Sequence, residues 1–162
     1  MFYEYRGKRY PNYLREKNAA SYILPFAKKF CHGKGLDIGA GKYCLPGAQG
    51  VDPNRGNDRQ WDAMSLPPGK YDYIFSSHCL EHLEQPRRAL EHWVDVLVQG
   101  GVLMLYLPHP DNEEWHPANT KGHKHIWHPD DLAEMLYDLG LKDVIITGKD
   151  LLWSFSVVGF RE

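Results

Sequence analysis

Cysteine is scarce in this chain of 162 residues: Cys31, Cys44 and Cys79 are odd in number and show no C-x-x-C spacing. That pattern gives no disulfide framework and no thiolate metal site, and free thiols in a reducing cytoplasm are the expectation. Long apolar runs are missing too. Nothing approaches the roughly 20 residues needed to span a bilayer. The first ten residues, MFYEYRGKRY, lack the apolar core of a secretory signal. An excess of one charge sign is absent, since the formal charge is −2, which speaks against a general nucleic-acid binder. There is no internal repeat, low-complexity tract or linker. Hydrophobic residues make up 43% and charged residues 25%, enough for one packed core, so residues 1–162 are expected to form a single domain.

What is present alternates between strand and helix signals. Residues 1–17 mix Tyr3, Tyr5, Tyr10 and Tyr13 with basic residues. Over residues 1–30 seven Lys/Arg (Arg6, Lys8, Arg9, Arg15, Lys17, Lys28, Lys29) face only Glu4 and Glu16. Such an arm either packs over a pocket or lies solvated; gripping nucleic acid is the less favoured role. Ala19, Ile23, Phe26, Ala27 and Phe30 recur at helical spacing, with Pro25 expected to kink or restart that helix. Tyr71–Ser76 reads as a buried strand. Pro86 opens a helix with the stripe Leu90, Trp93, Val94 and Leu97, which Gly100 and Gly101 are expected to stop. Val102–Leu107 is a continuous apolar strand of the kind buried on both faces of a parallel sheet. Pro129 opens a last helix, and Val144–Thr147 and Ser154–Phe160 read as a closing antiparallel pair. The expected architecture is an open, mostly parallel α/β sheet.

Residues 35–52, GLDIGAGKYCLPGAQGVD, organise this pattern. An apolar run carrying Asp37 ends in Gly39 and Gly41, a turn-rich passage follows, and a second run ends in Asp52. Glycine lets backbone take positive φ and lets a ligand approach the main chain. An acid ending the second strand is where a ribose diol finds its acceptor. The dinucleotide fingerprint G-x-G-x-x-G is broken by Cys44 at its third glycine, which disfavours a nicotinamide-dependent oxidoreductase. The pattern D-x-G-x-G instead resembles motif I of the class I, Rossmann-like, S-adenosylmethionine-dependent methyltransferases.

Further pieces agree with that family in order and spacing. They are Asp52, the acid Asp62 with apolar Ala63 and Met64 behind it, the segment IFSSHCLEHL at 74–83, the Gly100-Gly101 turn into a strand, and GHKHIWHPDDL before the late helix. The resemblance runs from about residue 30 to the end, and it implies helices on both faces of a twisted sheet. It implies S-adenosylmethionine as cofactor and S-adenosylhomocysteine as product. It places Gly39 and Gly41 against the methionine part, Asp52 on the ribose hydroxyls and Asp62 on the adenine amino group. The backbone of Ala63 would read a ring nitrogen, Met64 would pack on the ring, and Ser77 and His78 would lie under the sulfonium. One departure stands out: Lys42–Gln49 is too short for the usual helix, and Pro46-Gly47 would break one, so a loop is expected there.

Methyl transfer from a sulfonium asks the protein mainly to align the nucleophile, and a hydroxyl or ammonium acceptor also needs a base. Residues 108–128 form a long stretch without periodicity, expected to be functional or mobile. It holds five of the nine histidines (His109, His116, His123, His125 and His128) with Trp115 and Trp127 as candidate pocket walls. His123 and His125 are the leading candidates for a base, followed by His109. His128 is read as structural, and His82 and His92 as packing or surface residues. H-x-H-x-x-H at 123–128 is also a metal-like spacing, but no paired thiols or carboxylate triad support it, and no metal site is expected. The resulting expectation is O- or N-methylation of a small-molecule or glycan-like acceptor. The alternatives are a non-catalytic cofactor-binding or partner-subunit module of the same fold and, less favoured, an RNA-directed enzyme. There is no N-P-P-Y or D-P-P-Y tetrapeptide and no Pro-Cys dipeptide of the kind used on DNA bases.

Overall fold

A computed structural model describes residues 1–16, 19–54 and 60–162. Lys17 of the basic arm, and Arg55, Gly56 and Asn57 of the turn cluster after Asp52, lie outside the described residues.

The central sheet has six strands. They are β3 (Gly35–Ile38), β4 (Ala48–Val51), β5 (Tyr71–Ser77), β6 (Leu97–Pro108), β7 (Leu141–Ile146) and β8 (Ser154–Arg161), in the spatial order β4-β3-β5-β6-β8-β7. β4, β3, β5 and β6 run parallel, and β8 is antiparallel to both β6 and β7. This is the mostly parallel sheet with an antiparallel C-terminal pair that the sequence pattern implies. The strands read as apolar runs because both faces are covered: Leu103–Leu107 are all at most 1% exposed.

Three helices of more than one turn flank the sheet among the described residues: α2 (Ala19–Ala27), α3 (Pro86–Asp95) and α4 (Pro129–Asp138). α3 and α4 open on Pro86 and Pro129, where a missing N–H costs nothing. They bury Leu90, Trp93, Leu132 and Leu136 in one core layer, on one face of the sheet. α2 buries Ile23 and Ala27 in the layer on the other face, with Tyr73, Phe75, Met104 and Tyr106. Pro25 sits inside α2 and does not end it.

Several boundaries differ from the sequence reading: α2 ends at Ala27, before Phe30, and β7 runs Leu141–Ile146 in place of Val144–Thr147. α3 stops at Asp95, and Leu97 is the first residue of β6, paired with Tyr71. Gly100, at φ +78°, and Gly101 therefore lie within β6, near the irregularity where its register to β5 shifts, and not at a helix end. A side chain at Gly101 would meet the Val98 carbonyl at 2.8 Å, so the strand irregularity itself demands glycine there.

The N-terminal arm is an antiparallel hairpin of β1 (Phe2–Tyr5) and β2 (Lys8–Pro11), followed by the single-turn α1 (Tyr13–Glu16). Arg6 and Gly7 both have positive φ, as a tight two-residue hairpin turn requires. Tyr10 is fully buried and packs against Trp153, with ring centroids 4.6 Å apart. The arm's charges are largely engaged within the protein. Lys8 pairs with Glu113 at 3.1 Å, Arg15 lies over the Tyr3 ring and near Glu114, and Arg9 lies over Phe2. The hairpin is thus clamped onto the 108–128 segment.

That segment is ordered by its own hydrogen bonds. Asn112 is 2% exposed and its Oδ1 accepts from the Trp115 N–H at 3.2 Å. Asn119 Nδ2 donates to the Glu113 carbonyl at 2.7 Å. The three cysteines are free thiols. No helix among the described residues is long and apolar enough to cross a membrane.

Candidate functional site

The carboxyl ends of β3, β4 and β5 lie side by side, which is where open α/β sheets bind ligands. Each strand there ends in a residue from the motif stretch or the 74–83 segment. β3 runs into Gly39, whose N–H donates to the Val51 carbonyl at 2.8 Å. β4 runs into Asp52, and β5 runs through Ser77 into His78.

Gly39 has φ +78°, a backbone region that disfavours any side chain. A Cβ at this position would sit 2.6 Å from Cys79 Cβ. The glycine turn is therefore pressed directly onto the segment after β5. Gly39→Ala is expected to lower the melting temperature by several degrees and to weaken S-adenosylmethionine binding about tenfold, about 1.4 kcal/mol. Thermal unfolding and calorimetric titration of the variant check this, and unchanged values for both would remove the close approach as a constraint. Opposite it, His78 has φ +50°, a strained conformation for a residue with a Cβ, worth about 1–2 kcal/mol. Its N–H donates to the Tyr106 carbonyl at 2.8 Å, and its ring stands edge-on to Trp115 at 4.9 Å.

Two cavities open on this edge. One, of about 370 Å³, is lined by Asp52, Asp62, Ala63 and Met64 together with Gly39 and His78. The other, of about 400 Å³, is lined by Asp37, Gly41 and Ser77, by Trp115 and His123 of the long segment, and again by Gly39 and His78. His82 lines both. The two spaces thus meet at Gly39, His78 and His82.

The carboxylates at this edge hold backbone as well as facing space. Asp52 Oδ2 accepts from the Gly41 N–H at 2.9 Å and Oδ1 from the Asn54 N–H at 2.8 Å. Asp62 Oδ1 accepts from the N–H groups of Met64 and Ser65, both at 2.8 Å, closing a turn that presents Ala63. The Ala63 carbonyl is taken by the indole N–H of Trp93 at 2.7 Å, which ties this turn to the core. Asp37 is 1% exposed, and its Oδ2 accepts from the Leu45 N–H at 2.6 Å. That bond stands in for the missing helix: residues 42–47 form an irregular turn anchored on a buried acid. Burial, with Asp52 nearby, pushes the Asp37 carboxyl up to about 7.

The histidine candidates separate. His123 reaches the larger cavity, and burial lowers its basicity. His125 lines neither of the two cavities; its Nε2 donates to the Leu83 carbonyl at 2.7 Å. His109 lies beside Asp111, 3.6 Å away, also outside both spaces. His128 occupies the position before α4, as read from the sequence, though its side chain makes no capping bond. Of the two tryptophans, Trp115 walls the cavity, whereas Trp127 is 9% exposed and belongs to the core.

Sequence reasoning missed Glu81 and His82. Glu81 is 1% exposed, and among the described residues its carboxylate oxygens meet only imidazoles, at ion-pair rather than hydrogen-bond distance. Its nearest polar neighbours are His78 Nδ1 at 3.5 Å and His82 Nε2 at 3.9 Å. The two residues stand in a short 3₁₀ turn, Leu80–His82, not on a helix face. The signal was a glutamate flanked by histidines directly after a buried strand.

Comparison with known proteins agrees with this geometry. A family model described as a methyltransferase domain matches residues 10–145. No curated protein matches the chain in sequence. Among solved structures, an S-adenosylmethionine-dependent methyltransferase from Thermotoga maritima superposes with a TM-score of 0.75 at 16% identity, covering 93% of each chain. One from Archaeoglobus fulgidus gives 0.69 at 18% identity, covering 93% of this chain and 97% of the other. Phosphoethanolamine N-methyltransferase 2 of Haemonchus contortus, in complex with phosphomonomethylethanolamine and S-adenosylhomocysteine, gives 0.69 at 15% identity over 87% of this chain and 52% of that one. The strand order, the glycine turn after β3 and the family match over most of the chain converge: the protein belongs to the methyltransferase-domain family and is an S-adenosylmethionine-dependent methyltransferase.

Proposed function

We propose that this enzyme methylates oxygen or nitrogen of a small-molecule acceptor seated in the cavity between Gly39, Trp115 and His123. The observation that carries the reading is the junction of the two spaces at Gly39, His78 and His82. A ligand with its nucleoside in the smaller space and its amino-acid end beside Asp37 and Gly41 has its reactive centre at that junction.

The residues present fit such a ligand. Asp52 has two of its roughly four lone-pair sites committed to backbone, which leaves two for a ribose diol. Asp62, Ala63 and Met64 line the far end, where a purine edge and face need a polar rim and an apolar cover. Gly39 removes the side chain that would close the junction, and buried Asp37 offers a carboxyl that ionises beside an ammonium group seated there. S-adenosylmethionine supplies an electrophilic methyl group on a sulfonium with a neutral leaving group. The protein's own work is alignment and exclusion of water, for which Trp115, with Leu14 of α1 and Ala19 and Ala20 of α2, provides a wall. His123 donates Nδ1–H to the Trp115 carbonyl at 2.7 Å, so its Nε2 carries the lone pair available to take an acceptor proton.

The size of the space favours a small acceptor, and the internally paired charges of the hairpin weigh against an RNA role. Calorimetric titration of the chain with S-adenosylmethionine and S-adenosylhomocysteine tests the reading. Micromolar binding of both, followed by methyl transfer to a member of a panel of small hydroxyl and amine compounds, is the expected result. A folded chain that binds neither would move the assignment to a partner-subunit module, with the shortened 42–47 turn as the cause.

A further inference from the structure

We infer that Glu81, His82 and His123 form a binding site for one divalent transition-metal ion, open toward the acceptor cavity. One ligand atom from each of the three lies within 4.8 Å of the others.

The first argument is the state of Glu81. A carboxylate at 1% exposure is costly to bury when its charge partners among the described residues are only imidazoles at long range, His78 Nδ1 at 3.5 Å and His82 Nε2 at 3.9 Å. A cation shared with neighbouring imidazoles removes that cost. The second argument is the orientation of the two rings. His82 Nδ1 lies 2.9 Å from the Gly122 carbonyl, and His123 Nδ1 lies 2.7 Å from the Trp115 carbonyl. A carbonyl oxygen only accepts, so each Nδ1 carries the hydrogen and each Nε2 presents its lone pair. A ring nitrogen tied to a carbonyl while the other faces a common point is the arrangement that orients metal-bound histidines. The rings stand perpendicular with centroids 4.5 Å apart.

The third argument is preorganisation. Residues 81–84 and 122–125 are stitched together by the Lys124 N–H on the Glu81 carbonyl at 2.8 Å, by His125 Nε2 on the Leu83 carbonyl, and by the Lys124–Glu84 ion pair. This stitching holds His123 against a residue 42 positions earlier in the chain. Metal–ligand bonds of about 2.1 Å require donor separations near 3.0–3.5 Å, so the set closes by about an ångström on binding, a side-chain adjustment.

Two imidazoles and one carboxylate select a first-row divalent ion such as zinc, manganese, iron or cobalt over calcium or magnesium. Three protein ligands leave open positions, and His82 and His123 both line the cavity. This inference deepens the proposed function. An acceptor hydroxyl held on the ion loses its proton to water more readily, so the set prepares an ionised oxygen. The histidines then act as ligands, and the acceptor class narrows to compounds offering a hydroxyl oxygen.

The test uses the full chain after treatment with chelator, titrated with Co²⁺ by visible absorption and with Zn²⁺ by calorimetry. One equivalent with micromolar or tighter affinity is expected. His123→Ala and His82→Ala are each expected to weaken it by at least about 100-fold, with the melting temperature of the ion-free protein little changed. His116→Ala should bind as the parent does. Substoichiometric or millimolar binding, or binding that survives His123→Ala and His82→Ala, overturns the site. S-adenosylmethionine titration in parallel separates the two readings. Cofactor binding without metal binding leaves the methyltransferase proposal standing with His123 as base, whereas metal binding without cofactor binding leaves only the metal site.

Discussion

Asp52→Ala is expected to weaken binding of S-adenosylmethionine, S-adenosylhomocysteine and methylthioadenosine alike, by at least about 100-fold. The equality follows because all three ligands carry the same 5′-thioadenosine group, whose ribose is the part assigned to Asp52. The carboxylate ends β4 with Oδ1 and Oδ2 each already accepting one backbone N–H, from Asn54 and Gly41. The residue lines the smaller cavity, so its remaining lone pairs are the ones open to a ligand there. Two hydrogen bonds from a diol to a charged acceptor are worth about 1.5–3 kcal/mol each, so losing both exceeds the 2.7 kcal/mol that corresponds to 100-fold. Alanine also frees the Gly41 turn, so calorimetry is paired with thermal unfolding. A fall of only a few degrees in melting temperature with complete loss of binding assigns the effect to the diol. Affinity that is unchanged for all three ligands would remove Asp52 as the ribose acceptor. Affinity lost only for ligands with a methionine part would place the effect at Gly41 and not at the ribose.

Much of this site was legible in the sequence because its chemistry is local. Asp37, Gly39 and Gly41 are fixed by the conformation of one turn, and Asp52 by the end of the neighbouring strand, so spacing alone brings them together. Pro86 and Pro129 marked helix starts because proline suits that position whatever surrounds it. The failures are tertiary. The hairpin at the N-terminus turns on Arg6-Gly7, which is not one of the strong hairpin dipeptides, and its tyrosines are explained only by the Trp153 and Leu152 surface they cover. Leu97 fits the helical stripe of α3 as well as it fits a strand, and its pairing with Tyr71 decided the matter. The histidines of the long segment were weighed by their neighbours in sequence. Their sorting depends on contacts to residues 81–83, which no spacing reveals.

Asp37→Asn is expected to stabilise the protein above pH 7 while weakening the cofactor. The Asp37 carboxyl is raised from an ordinary 3.8 to about 7, first by burial and then by the charge of Asp52, with the bond from Leu45 pulling the other way. The folded state therefore holds a proton on this group that the unfolded state has released, throughout the interval between the two values. Its contribution to stability is fully present below about pH 4, and it is lost as pH rises through about 7. At about 1.4 kcal/mol per pH unit, the whole interval amounts to at most about 4 kcal/mol. Asparagine keeps an oxygen for the Leu45 N–H and cannot ionise. The variant should melt higher than the parent at pH 8, by about 1–3 kcal/mol of stability, and the two should converge near pH 4. A parent whose stability does not fall between pH 4 and 8, or a variant that follows the parent across that range, would show that Asp37 is not held in this state. The same charge explains why an acid remains where an amide packs better. Asp37 lines the larger cavity, and a ligand ammonium placed there offsets its ionisation. Binding of S-adenosylmethionine at pH 6.5 should then release a proton, read as a dependence of calorimetric heat on buffer ionisation enthalpy. Asp37→Asn should abolish that dependence and lower affinity about tenfold, so the stability gained and the binding lost have one origin, the unpaired charge beneath the glycine turn.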